Sequence, residues 1–428
     1  MSAPADTAPT QRRRFWNVAG AGVAFQAGSA AVDSGTIMSA LIWQLSGSSI
    51  LVGSVTAILR FGWLMPQLVV GFLAQRAGSS MRYYVIGAFG RAAAMAAMAL
   101  VLWLGAGWPR PWLTAAVMAL WVTYAFVSGI VGVPYNDIVA RAVPSNLRSR
   151  LLATRFFGGG LLALAVAGLA DRIVTSLPFP VSYAVVIAMA SGLMFLSSGV
   201  FTAMGEPAPA ASPPRAKPTF FAYLAEGVQV FRTDRRFRAF VFAQWCGGAV
   251  LMAMPFYVVA ADKAGVSLER IALLLAAQTA GALVSNLLWG WWGDHLGKVS
   301  LLRAIAAGRI LPPLAVLGLS LAGAGGAFAI YLALFFVLGA LANGLTIAVI
   351  GFLMEISPED RRPAWSGYFN AITAPAFLMP LAGGLIAATG ALWLVFALSA
   401  AAAMAQSLIL MRISTGDRGD TGDAAARG

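Results

Sequence analysis

An ionisable side chain inside a long apolar run is costly in hydrocarbon, so each one that a chain retains there asks for a use. Asp33 and Arg60 are the first such pair. Each lies about ten residues from the outer end of its apolar segment, which at about 1.5 Å per residue sets both about 15 Å below that face. Opposite charges at one depth are expected to pair. Gly22, Gln26, Ser29 and Asp33 follow one another at i, i+4, i+7 and i+11, which is one stripe of a helix. A polar stripe of this kind has two uses. It binds a substrate or a proton, or it serves as a structural ion pair that locks one helix to the next.

The second half of the chain offers neutral groups instead: Gln244, Gln278, Asn286, Asn343 and Asn370. Gln278, Ala282 and Ser285 share a stripe, as do Gln244 and Gly248. Amides of this kind contact a ligand or hold helices together, at about 1 kcal/mol per bond. Arg91 and Arg309 also fall in apolar segments. Together with Arg60 they would suit an anionic substrate, but they are read here as structural, bonded to carbonyls or loop acids.

Other chemistries find no residues. No G-x-x-x-x-G-K-[ST] loop is present to hold a nucleotide, and no set of acids, histidines and a nucleophile stands at one depth. The single cysteine, Cys246, and single histidine, His295, cannot form a disulfide framework or a zinc cluster. The expectation is a protein that is not an enzyme and carries no cofactor and no metal.

The elements that position these residues are apolar segments. Of 428 residues 60% are hydrophobic and only 11% charged, less than half the roughly 25% charged of a soluble domain. Runs of about 20 apolar residues cross the bilayer as helices. Twelve are expected, at 17–43, 51–74, 83–104, 112–139, 151–173, 181–203, 238–261, 268–292, 300–322, 326–352, 364–388 and 390–412. The first is a true span and not a secretory signal, because its apolar run is too long and lacks a clear cleavage site.

An even count puts both termini on one face. Arg110, Arg172, Lys263 and Arg270 fall outside, and Arg60, Arg91 and Arg309 within spans. The rest of the 29 basic residues, among them Arg12 to Arg14, fall on the face of the termini, which is therefore the cytoplasm. The expectation is a multi-pass protein of the cytoplasmic (inner) membrane. A formal charge of +13 spread over short loops suits anionic lipid headgroups and not nucleic acid. Trp43, Trp103, Trp108, Trp112 and Trp393 near outer ends, and Trp16, Trp289, Trp291 and Trp292 near inner ones, read as interfacial belts.

One break divides the chain. Gly205 to Pro218 reads GEPAPAASPPRAKP, an extended linker. Phe220, Leu224, Val228 and Phe231 then follow at helical spacing, as an amphipathic helix on the inner leaflet or as the start of the seventh span. The division is thus 1–204, a linker at 205–237, and 238–428.

The two halves repeat. After the second span stands Gly71, then Gly78 seven residues on, and after the eighth stands Gly290, then Asp294, Gly297 and Lys298. Gly90-Arg91 is matched by Gly308-Arg309, and Asp137, Pro144 and Arg148 by Glu355, Pro358 and Arg362. These residues resemble the inner loops of the major facilitator superfamily, whose signature is G-x-x-x-D-x-x-G-[RK]. The first copy departs from it, with Gln75 at the acidic position and Ser79 at the basic one.

The resemblance implies an all-α membrane protein of twelve transmembrane helices in two pseudo-symmetric six-helix bundles. The first, fourth, seventh and tenth helices would line a central cavity, with the third and ninth outside it. It implies gating by the loops and a secondary active transporter that moves a small solute by alternating access, proton-coupled and functional as a monomer. The fifth span lacks the Gly-Pro signature of drug antiporters. The alternative is a non-transporting sensor or assembly factor on the same fold.

Overall fold

The computed structural model describes residues 8–77, 79–207, 219–267, 270–321, 328–357 and 362–413. Helices form throughout because a backbone in hydrocarbon must satisfy its own polar groups. The first half comprises α1 (Ala8–Ala30), α2 (Ile37–Ser46), α3 (Ser49–Ala77), α4 (Ser80–Leu104), α5 (Arg110–Ala142), α6 (Ser145–Ser176) and α7 (Val181–Thr202). A surface helix, α8 (Phe220–Thr233), follows. The second half comprises α9 (Arg235–Val250), α10 (Phe256–Lys263), α11 (Ile271–His295), α12 (Lys298–Gly308), α13 (Leu311–Leu321), α14 (Phe328–Ile356), α15 (Arg362–Thr373), α16 (Met379–Ala388) and α17 (Leu392–Met411).

Among the described residues, the sixteen helices other than α8 make twelve crossings because four crossings are broken near their middle, the first at Ala31–Thr36 (α1/α2) and the seventh at Leu251–Pro255 (α9/α10). Gly308-Arg309-Ile310, just before Pro312 and Pro313, divides the ninth into α12 and α13, and Pro375 and Pro380 flank the break of the eleventh. Among the described residues, eleven helical segments are individually long and apolar enough to cross a membrane. The first crossing is the twelfth, shared between the polar α1 and the short apolar α2. The chain is a multi-pass membrane protein.

The expected spans shift at their ends. Thr219 caps α8 by accepting from the Ala222 amide at 3.3 Å, and Asp234 caps α9 by accepting from Phe237 at 2.7 Å, so these are two helices and not one long seventh span. Gly227 of α8 packs on Tyr368 of α15. Gly71 and Gly290 are helix interior, and the expected turns shrink to the few residues between α3 and α4 and at Leu296–Gly297. Gly297 has φ of 87°, a conformation that favours glycine there.

The core is distributed unevenly between the faces. On the face where α1 begins and α17 ends, here the terminal face, each half keeps its own apolar cluster. Phe15, Tyr84, Ile138 and Phe201 anchor one, and Phe237, Leu302, Phe352 and Trp365 the other. Towards the far face a single cluster contains residues of both halves, among them Ile37, Val52 and Tyr183 with Met252, Phe256 and Val395. The halves are therefore fused at the far face and separately packed at the terminal one.

Glycines set the closest helix contacts. A Cβ on Gly281 of α11 would strike the Phe336 carbonyl oxygen of α14, and one on Gly339 the Gln278 carbonyl. We expect Gly281→Val to lower the stability of the second half by about 1–3 kcal/mol through overpacking. Gly199→Ala, which meets nothing within 4 Å, should change it by less than about 0.5 kcal/mol. Thermal unfolding of the two variants in detergent checks the contrast.

Candidate functional site

The site is built where two broken helices face each other. α1 stops at Ala30 because Val32, Asp33, Ser34 and Gly35 leave the helix, and their polar groups find local partners. The Asp33 Oδ1 accepts from the Gly35 amide at 3.0 Å and the Thr36 hydroxyl at 2.9 Å. The Ser34 carbonyl accepts from Ser39 at 2.6 Å and from Thr56 of α3 at 3.4 Å. Met254, in the matching break of the other half, lies against Gly35, 3.4 Å from the place of a Cβ there.

This corrects two expectations. Asp33 does not continue the stripe of Gly22, Gln26 and Ser29, because the helix has ended three residues earlier. Asp33 and Arg60 also do not close an ion pair. Arg60 is solvent-accessible on α3 and makes no hydrogen bond or salt bridge among the described residues, although its charge acts on Asp33 across the gap. One carboxylate oxygen of Asp33 holds the turn. The other has no hydrogen-bond partner among the described residues.

The remaining polar residues separate by role. Asn343 donates to the Ala282 carbonyl at 3.3 Å and to the Asn286 side chain, tying α14 to α11. Arg309 is buried and donates to Gln406 at 2.8 Å and to the Gly247 carbonyl at 3.0 Å, a tie between α12, α17 and α9. Gln244 Nε2, Gln278 Oε1 and Gln26 Oε1 are buried without a partner. Arg91 is buried over the Phe25 ring. Of the Gly158–Gly160 run, the first two meet Val23 and Gln26 of α1, and Gly160 meets Leu283 of α11 in the other half.

At the far face the halves are held by contacts the sequence does not announce. Trp43 of α2 donates its indole N–H to Asp262 of α10 at 2.8 Å. The indole is thus a bridge between halves and not part of a belt, whereas Trp103, Trp112 and Trp393 are exposed at helix ends. Asp171 of α6 faces the charge of Arg270 at the start of α11. Gly53 of α3 and Gly384 of α16 touch backbone to backbone, the Gly384 Cα standing 2.9 Å from a Cβ position on Gly53.

The terminal-face loops are only partly described. Gly78 lies outside the described residues, as do the side chains of Asp294, Arg148, Glu355 and Arg362, although their backbones are helical. Lys298 is exposed at the start of α12. Asp137 accepts from Ser80 at 2.6 Å and pairs with Arg141 at 2.6 Å.

The acid missing at Gln75 has a substitute that sequence reading assigned to the linker. Glu206 accepts from the Ser79 hydroxyl at 2.6 Å and the Ser80 amide at 2.9 Å, and pairs with Arg141 at 3.3 Å. It sits at the N-terminus of α4, where a carboxylate is favoured by the helix dipole. Arg155 of α6 was likewise passed over. It falls inside the fifth expected span and donates to Tyr135 at 3.0 Å.

No protein-family model and no curated protein matches the sequence. Solved structures do. A crystal structure of an auto-inhibited POT family peptide transporter is similar at a TM-score of 0.71 and 12% identity, covering 95% of this chain and 98% of that one. The nucleoside transporter NupG is similar at 0.67 and 12%, covering 94% and 100%. The xylose transporter XylE from E. coli, in a partially occluded inward-open conformation, is similar at 0.64 and 14%, covering 95% and 100%. The fold is the one these transporter structures share.

Two outcomes are expected. A hydrogen bond to a charged group contributes about 1.5–3 kcal/mol, so Asp262→Ala, which removes the acceptor of the Trp43 indole, should raise the far-face-open population by about tenfold or more. Labelling of a cysteine placed at Gln44, in a Cys246-free background, reads this. For Glu206, burial works to raise the carboxyl, but the Ser79 hydroxyl, the Ser80 amide and Arg141 outweigh it and hold the group below the usual range. Its stabilisation is therefore present above the unfolded glutamate pKa of about 4.3 and lost as pH falls through the lowered folded value. The gap in unfolding temperature between wild type and Glu206→Gln should close over that window.

Proposed function

We propose that this chain is a secondary active transporter that carries a small solute by alternating access, driven by protons, and that its structure is closed on the outer face. The observation that carries the reading is the uneven core: one apolar cluster joins the halves at the far face, and two separate ones serve the terminal face. Halves that share a core at one end and not the other are arranged to rock about their middle. The middle is where α1/α2 and α9/α10 break and where Asp33 stands.

The terminal face is the cytoplasm on this reading, since Arg12 to Arg14 and Arg235, Arg236 and Arg238 lie on it. The protein sits in the inner membrane with both termini inside, works as a monomer, and moves solute without catalysing a reaction. Proton drive rests on Asp33, which has one oxygen unbonded among the described residues and Arg60 within electrostatic reach. One of the similar structures is a D-xylose-proton symporter, which accords with that assignment. Movement of Arg60 relative to Asp33 would release or bind the proton in step with the change of access.

Asp33→Asn is expected to abolish accumulation driven by a pH gradient while leaving ligand binding and downhill exchange in place. A purely structural carboxylate gives another pattern, namely low thermal stability partly restored by Arg60→Gln, because a lone charge in the bundle is worse than none. Gradient-driven uptake and exchange in the same proteoliposomes separate the two. A well-folded Asp33→Asn protein that still concentrates solute removes Asp33 from coupling.

A further inference from the structure

The first half contains two guanidinium groups that the cycle above leaves unused. Arg91 of α4 is 5% exposed, and its Cζ stands 3.9 Å from the centre of the Phe25 ring of α1. Its Nε is buried without a partner, and among the described residues Arg91 makes no hydrogen bond and no ion pair. Arg155 of α6 lies across α1 at Gly22, where an added Cβ would be 2.5 Å from its Cδ. Its hydrogen bond among the described residues goes to Tyr135, and its Nε too is buried without a partner. The two arginines are close enough for their charges to act on each other, with Tyr84 and Tyr135 near both.

The matched arginine of the other half shows what a structural guanidinium looks like. Arg309, in the repeat position of Arg91, is bonded to a side-chain amide and a backbone carbonyl of two neighbouring helices. Arg91 has an aromatic face in place of such acceptors. Buried polar groups are nearly always hydrogen-bonded, and buried charges nearly always paired. Two neighbouring cations with no carboxylate among the described residues, in a membrane interior, violate both rules at once. The partner they require is an anion that the described residues do not supply.

Its chemistry follows from the donors. A guanidinium presents N–H groups in a planar fork that matches the two oxygens of a carboxylate. The free Nε groups are part of that fork. Gln26, whose side-chain oxygen is buried without a partner beside Gly159, stands one helical turn beyond Gly22 and offers its amide N–H groups if the amide is turned over. Phe25 and Tyr135 supply flat apolar faces for an organic body. We propose that Arg91 and Arg155, with Gln26, form the anion subsite for the transported solute, and that this solute is a small organic carboxylate. The proposal rests on the transport reading above and adds the substrate class to it.

The test uses the full chain in lipid nanodiscs, with lactate, succinate and benzoate as probes and lactamide, succinamide and benzamide as their neutral counterparts. At millimolar concentrations at least one carboxylate should raise the unfolding temperature by mass action and its amide should not. The shift should vanish in Arg91→Gln and in Arg155→Gln, with affinity down about 30-fold or more. Arg91→Lys, which keeps the charge and loses the fork, should bind more weakly than wild type and more tightly than Arg91→Gln. Without any anion, Arg91→Gln should unfold no lower than wild type, since it removes an unpaired charge, whereas a structural arginine would leave the variant less stable.

A shift that survives both glutamine substitutions, or the absence of a shift with every carboxylate, overturns the proposal. So does a shift with inorganic phosphate alone. Counterflow in proteoliposomes keeps the two readings apart. A carboxylate that binds through Arg91 and Arg155 but is never exchanged defeats transport and leaves the subsite standing. Exchange of a neutral solute that ignores both substitutions defeats the subsite and leaves transport standing.

Discussion

The structure depends on one constraint: hydrocarbon will not solvate a peptide group, so a helix can stop inside the membrane only where something else takes over its hydrogen bonds. In the first crossing the substitutes are the Asp33 carboxylate, the Thr36 and Ser39 hydroxyls and Thr56 on the neighbouring helix. In the seventh the chain tightens into a short 3-10 turn before Pro255. The two breaks stand opposite each other at Gly35 and Met254. The centre of the protein is therefore the place where regular structure is given up, and the acid that repairs the first break is the same one proposed above to take a proton.

The same economy governs how the halves meet. Helices in a bilayer gain nothing from hiding apolar surface from lipid, so association comes from close packing and from polar contacts. Gly53 against Gly384 provides the first, and Trp43 on Asp262 the second. Both lie on the far side, away from the termini. A contact of this kind is worth a few kcal/mol at most, which is strong enough to hold the far face closed and weak enough to be reversed. On the terminal side each half relies on its own cluster, so opening there leaves each half's packing intact.

The repeat is clearest where its two copies differ. Arg309 is spent on holding three helices together, while its counterpart Arg91 is left with an aromatic ring. The second inner loop carries its acid within the signature at Asp294, while the first borrows Glu206 from the start of the linker to hold the same helix end. The first half has thereby kept unpaired charge, and the second has kept neutral amides.

Much of this was legible in the sequence. The period and length of the apolar runs set the number of crossings and the paired loop motifs set the two-fold plan, because each is a property of consecutive residues. Asp33 and Arg60 also stood out, since a charge in an apolar run is visible without a fold. That the helix ends before Asp33 went unread in the apolar pattern, because the break is stabilised by polar side chains, most of them local and one, Thr56, from another helix. Nor could the sequence alone pair Trp43 with Asp262, separated by 219 residues, or distinguish the satisfied Arg309 from the unsatisfied Arg91, each of which follows a glycine in an apolar run. Whether a buried charge is a strut or a binding group is decided by what faces it, and only the tertiary structure chooses the residues that do.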